Sequence, residues 1–307
     1  MKVTKLIVAM TAILSFSSAA TVVETNQPQA KPAAKVASMS TKPDSRNYVS
    51  MYLEQKNIGF EYDAKDNYGG GNVVDYSQDS DADVTILGGS WTSRQDDWLF
   101  NLWGEVSVSG DYETKSAQTG SVCGGKCKST DSDYWSIGGD VLYHIDTNLD
   151  GKFYAGGSVK YYEYDTGSYK ANDVNNQDKF DFTSIAGMGM YVVTYDRWVF
   201  DVNAEAGVGL ANFTTSGVDP VVAVTENREI DSTLLFFGAE AGATYIIGDW
   251  MSVRGYVGFT ESTDLSADCS RSVSFISGAS CSAESVSFDD YHVGVNFMVN
   301  TNVVDRL

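Results

Sequence analysis

The chain has 307 residues, 41 of them acidic against 21 basic, a formal net charge of −20 and an aromatic content of 12%. A chain this acidic repels phosphate, which excludes nucleic acid as a partner. No stretch of eighteen apolar residues occurs after the leader, which excludes membrane-spanning helices in the mature protein.

Residues 1–20 read as a secretory signal peptide: Lys2 and Lys5, an apolar run from Leu6 to Phe16, then Ser18-Ala19-Ala20 before the cleavage point. Its removal takes two lysines and moves the formal charge from −20 to −22. No cysteine stands at the cleavage site, so lipid attachment is not indicated. Residues 21–47 hold three of the four prolines and show neither a helical nor a strand period. They read as a disordered periplasmic linker. Such a segment either threads the periplasm as a solvated tail, the default, or plugs a lumen.

From about residue 48 the chain is a succession of period-two segments, starting at Ile58, Phe60 and Tyr62 and ending at Val299. Ten strands are counted, with twelve if residues 48–55 pair separately from residues 58–63, and eight as the lower alternative. Connections alternate in length. Short ones lie near residues 93–97, 146–151, 194–197 and 248–249; long ones cover about 64–81, 112–133, 166–179, 212–230 and 261–285. Short turns on one side and long loops on the other are the habit of an antiparallel up-and-down barrel in an outer membrane, the long loops facing outside the cell.

Three short turns end in a charged residue followed by tryptophan, at Trp98, Trp198 and Trp250, and the fourth leads into Phe153. Amphipathic rings beside the turns are what an interfacial aromatic girdle requires. With Trp198, Phe200, Val202 and their alternates toward lipid, the same rule sends Glu61, Glu105, Asp140, His144, Lys160, Asp181, Asp201, Glu205, Glu240, Arg254, Asp290 and His292 into the lumen. Bulky Trp103, Tyr154, Tyr162 and Tyr191 join them. Carboxylates outnumber fixed cations there, so Lys160 and Arg254 are expected to be hubs, Arg254 pairing first with Glu240.

The last strand has Tyr291, Val293, Val295, Phe297 and Val299 on one face. His292, Gly294, Phe297 and Val299 resemble the closing-strand signal of bacterial outer-membrane barrels, with the departure that residues 300–307 follow as a short tail. Residues 48–299 as a whole resemble the small outer-membrane β-barrels of the broad opacity-associated and OmpA-like group. The resemblance implies residence in the cell outer membrane among lipid and lipopolysaccharide, assembly by the barrel-insertion machinery through the last strand, and external loops at which a surface ligand would be met. It implies a structural or surface-contact role with a largely filled polar lumen; a narrow cation-preferring pore is the alternative.

Little else carries chemistry. Cys123 with Cys127, and Cys269 with Cys281, read as two local disulfides in an exported protein; the rival is a four-cysteine metal site, which lacks paired Cys-x-x-Cys knuckles. Asp146 to Gly151 matches half of a calcium loop but has Gly157 at the twelfth position, and a tight turn accounts for it. The acidic run from Asp75 to Asp83 reads as a solvated loop or a weak divalent site bridging to lipopolysaccharide phosphates. Catalysis needs a histidine placed with carboxylates or serine at one rim. Only His144 and His292 exist, so no enzyme, cofactor or metal is expected.

Overall fold

Period-two alternation resolves into ten long antiparallel strands and one short one. The computed structural model describes residues 46–67, 73–118, 127–129, 131–147, 149–171, 174–219, 224–274 and 279–301. The strands are β1 (Arg46–Asn67), β2 (Val73–Gln95), β3 (Trp98–Gln118), the short β4 (Cys127–Ser129), β5 (Asp133–Ile145), β6 (Lys152–Ala171), β7 (Val174–Tyr195), β8 (Trp198–Asp219), β9 (Val224–Ile246), β10 (Met251–Val273) and β11 (Ser280–Asn300). Each long strand pairs with its sequence neighbours, and β1 pairs with β11 from Tyr48↔Asn300 to Asn67↔Ser280, so the sheet closes on itself and leaves no edge. Residues 1–45, Cys123 and residues 302–307 fall outside the described residues, and with them the signal peptide, most of the linker and most of the tail.

At the short-turn end, two-residue reversals connect Gln95 to Trp98 and Tyr195 to Trp198. Their first residues, Asp96 and Asp196, have φ of 54° and 53°. Aspartate tolerates this left-handed region better than most side chains.

The other end differs from expectation. The segments expected to be long loops are mostly strand: β1 runs to Asn67, β2 starts at Val73, and the run Asp75 to Asp83 is a regular part of β2, with Asp75, Asp79, Asp81 and Asp83 exposed while Gln78, Ser80 and Ala82 are buried. A lipid bilayer needs only about 9–11 residues of tilted strand, and β1 has 22. Roughly half of each long strand but β5, which has 13 residues, therefore stands beyond the lipid. β1 also begins two residues inside the expected linker and is continuous, so residues 48–55 and 58–63 are one strand and the twelve-strand alternative falls.

That height inverts the polarity code. Near the short turns the outward side chains are apolar and exposed, as at Met51, Leu53, Val202, Leu210, Val293 and Val295. Farther up, the apolar side chains point inward, as at Ile58, Phe60, Tyr62, Phe180, Phe213 and Phe288, all 4% exposed or less. Lipid outside demands the first pattern; water outside demands the second. In β1, β8 and β11 the sequence changes phase within an unbroken strand, whereas β3 steps across a bulge between Ser107 and Ser109. Two residues assigned to the lumen lie above the switch and are corrected. Glu61 is outward and exposed. Asp181 is outward too, accepting a bond from Tyr161 Oη on the outer wall at 3.2 Å. Tyr191, in the outward register of Ile185, also leaves the lumen.

The lumen as candidate functional site

The interior falls into three levels. Nearest the short turns is a cavity of 1080 Å³, reaching from the rim residues Arg46, Asp249 and Trp250 up to Tyr162, Phe182 and Phe288. Its wall carries Glu54, Glu105, Asp140, Asp201, Glu205, Glu240 and Asp290 against Lys56, Lys160 and Arg254. Arg254 Nη2 lies 2.6 Å from Glu240 on β9 and reaches Asp201 on β8. Lys160 on β6 pairs with Glu205 on β8, across the intervening β7. His292 Nδ1 lies 2.8 Å from Asp290 and its Nε2 3.4 Å from Glu240.

Sequence reasoning missed the centre of this network. Lys56 Nζ sits 3.3 Å from Glu54, 3.9 Å from Glu105 and 3.8 Å from Asp290. Glu105 also accepts from Tyr52, Tyr134 and Ser136 at 2.9, 3.1 and 2.7 Å, and Tyr256 donates to Glu54 at 2.8 Å. The signal was present: Tyr52, Glu54 and Lys56 share parity and precede the phase switch. Two glycines make room for the tyrosines. A Cβ on Gly88 would stand 2.2 Å from the Tyr52 ring, and one on Gly294 would stand 2.4 Å from that of Tyr256. Gly294, placed by its spacing in the closing-strand signal, thus has a packing duty as well. His144 is not in the network; it stands at the rim, 3.7 Å from Asp97 and 3.9 Å from Asp146.

Above the charges comes an aromatic level. Phe60 of β1 and Phe180 of β7 have ring centroids 4.5 Å apart. Those strands are separated by four long strands in either direction around the ring, so they lie on opposite walls. Phe288 is 5.4 Å from Phe180 and 5.8 Å from Phe60; Tyr162, Phe182 and Phe213 complete the set.

The outermost level is polar and stands clear of the lipid. Asp178, 1% exposed, receives Tyr112, Tyr169 and Gln78 on one carboxylate oxygen at 2.6, 2.9 and 2.9 Å. Burial with only neutral donors pushes its carboxyl above the ordinary range. Asp66 pairs with Arg228 and lies 3.6 Å from Arg271, yet burial outweighs them and also raises it. Near this level Cys269 and Cys281 are joined by a disulfide with Cα atoms 5.5 Å apart. Cys127 is also disulfide-bonded.

On the outside, Trp98 and Trp198 are 45% and 43% exposed beside the short turns and Phe153 is half-buried in the same zone, whereas Trp250, 52% exposed, stands at the rim and lines the cavity. Trp98 packs on Tyr143 and Trp198 on Tyr245, each at 5.0 Å. A second set of rings, Phe237, Phe259 and Tyr291, contacts at 6.0 and 6.5 Å higher up. From Phe237 to Tyr245 is roughly 27 Å along the strand, and tilt brings this near the height of about 25 Å for a lipid-facing band. The rings and the apolar belt between them decide the matter.

The fold is that of an outer-membrane β-barrel. One comparison with a solved structure agrees in fold. The outer membrane protease OmpT from Escherichia coli matches 86% of this chain and 99% of its own with a TM-score of 0.60 at 10% identity. The translocator domain of the autotransporter NalP from Neisseria meningitidis matches 81% and 87% with a TM-score of 0.35 at 12% identity. No family model and no curated protein matches the sequence. At such identities the likeness is one of fold, and this outer-membrane β-barrel is taller than its lipid belt requires.

Proposed function

We propose that the barrel is a closed, non-catalytic element of the cell envelope whose business is structural and surface-exposed, with its short-turn end in the periplasm and its tall end outside the cell. The observation that carries this reading is the 4.5 Å contact between Phe60 and Phe180 across the bore. A path for solute would have to part rings that are 4% and 1% exposed. The sequence leads one to expect a lumen filled by polar groups; the reading rests on an apolar layer above a charged cavity.

The outer wall above the belt presents carboxylates such as Glu61, Asp79, Asp81 and Asp83. At that height they stand among lipopolysaccharide headgroups, and insertion by the barrel machinery would use the β11 signal His292, Gly294, Phe297 and Val299. A protease reading, prompted by the fold shared with OmpT, is not favoured. Among the described residues the two histidines are His144 at the short-turn rim and His292 within the belt, held by Asp290 and Glu240.

Planar-bilayer recording of the refolded protein tests the closed barrel. The parent should show no steady steps, whereas a Phe60→Ala, Phe180→Ala variant that still migrates as a folded barrel on unheated gels should conduct. Steady cation-selective steps from the parent would replace this reading with the narrow pore that the acidic cavity favours.

A further inference from the structure

The cavity below the phenylalanine layer reaches three exposed rim residues, Arg46, Asp249 and Trp250, at the short-turn end. Over its whole lining eight carboxylates face four fixed cations and His292, so the wall attracts cations even with its ion pairs made.

On the wall formed by β3, β5 and β6 three groups stand in line. Lowest is Asp140, which accepts from Asn101 Nδ2 at 3.0 Å, and Asn101 is in turn held by Thr92 at 3.0 Å. Among the described residues no lysine, arginine or histidine nitrogen lies within ion-pair distance of Asp140. Two residues farther up β5, the Trp103 indole lies across Gly138, where a Cβ would come within 2.3 Å of the ring. Lys160, opposite Gly138, is drawn away to Glu205 on β8. Highest is Tyr162, opposite Ser136. It lines the cavity and is 7% exposed, yet among the described residues its hydroxyl has no hydrogen-bond partner. A buried hydroxyl left so is costly unless something in the cavity meets it.

Asp140 opposes Ser158, so four residues of β6 separate its level from Tyr162, roughly 13 Å along the strand. A carboxylate without a cation, an aromatic face and an unmet hydroxyl at this spacing suit a chain with an amine at each end. The carboxylate takes one ammonium, the indole takes the methylenes beside an amine, and the Tyr162 oxygen accepts from the far ammonium. The upper end tolerates that charge. Tyr134, whose ring lies 6.1 Å from that of Tyr162, meets Lys56 at 3.4 Å, but Lys56 is outnumbered by Glu54, Glu105 and Asp290.

We propose that the cavity binds a linear aliphatic triamine, one terminal ammonium on Asp140, its methylenes along Trp103 and its other end on Tyr162 Oη. The proposal does not rest on the closed barrel, because the cavity ends below the aromatic layer, and its readout is independent of conductance.

Calorimetric titration of the refolded protein with spermidine in a zwitterionic detergent tests it. One spermidine should bind per barrel. Asp140→Asn should weaken binding about tenfold and Tyr162→Phe about threefold, and hexylamine, which meets only one end, should bind about tenfold more weakly than spermidine. Glu61→Gln with Asp83→Asn, on the outer wall, should leave the affinity unchanged. Each variant is first shown to be folded by its heat-induced gel shift, and Tyr162→Phe, which keeps the ring, carries the test if Asp140→Asn does not fold. No binding, several spermidines per barrel, a loss confined to the outer-wall variant, or an affinity indifferent to the lumenal substitutions would each overturn the proposal.

Discussion

Arg254 is the residue on which the lumenal charges lean most unequally. Replacing it by methionine leaves Asp201 and Glu240 in a confined space, Glu240 keeping, among the described residues, only His292 as a basic neighbour. Stranding buried carboxylates costs about 3 kcal/mol. Glu240→Gln removes one acid and leaves Arg254 its second partner, at about 1 kcal/mol. The Arg254→Met protein should therefore unfold at the lower temperature in a heat-modifiability gel assay; equal midpoints would mean that water and counter-ions already solvate the acids. Asp178 gives a prediction of opposite sign to the usual carboxylate. Its folded pKa lies above the ordinary value because burial penalises the charge. The folded state thus holds its proton longer than the unfolded chain, so this contribution is complete below about pH 4 and is lost as pH rises through the folded pKa. Asp178→Asn retains an oxygen for Tyr112, Tyr169 and Gln78 and should flatten that loss. Unfolding midpoints measured from pH 4 to 8 would show the parent and variant curves converging at the acid end.

Along a single strand the same alternation means opposite things at its two ends. Val293 in β11 is 57% exposed to the belt, whereas Glu61 in β1 is outward above it. Val293→Arg should cost about 2–4 kcal/mol in a refolding titration into bilayers, while Glu61→Lys should stay within about 0.5 kcal/mol of the parent. Similar penalties at both sites would mean that the lipid reaches higher than the switch. This is where sequence reasoning stopped short. The β8 assignments from Trp198 to Leu210 agree with the structure because that stretch lies wholly in the belt. Glu61 and Asp181 were misplaced by applying the belt's rule to strand that stands in water, and Lys56 was overlooked because the alternation of β1 was read from Ile58 onward. The inverted phase was visible as two apolar registers in one segment, but a break between two strands would produce the same pattern.

For the molecule as a whole, the disulfide between Cys269 and Cys281 closes a separation of 12 residues at the tall end of β10 and β11. On the chain-entropy account this is worth about 3 kcal/mol. Its effect should be local, since the belt below is held by the closed ladder on either side. Reduction should raise amide exchange in residues 262–285 by about a hundredfold while leaving residues 251–259 and 291–299 protected. Loss of protection throughout β11 would show that the tall end and the belt unfold as one unit.

The sequence by itself determined an all-β chain of ten long strands, the belt and its tryptophan turns, because each is a local pattern that lipid or water imposes on neighbouring residues. The tertiary structure alone decided which strands oppose each other. Phe60 and Phe180 meet across the bore, Lys56 gathers Glu54, Glu105 and Asp290 from three strands, and Lys160 reaches past β7 to Glu205. Alternation fixes only which way a side chain points, inward or outward. What it meets inside depends on ring closure, register and strand tilt, which are properties of the whole sheet.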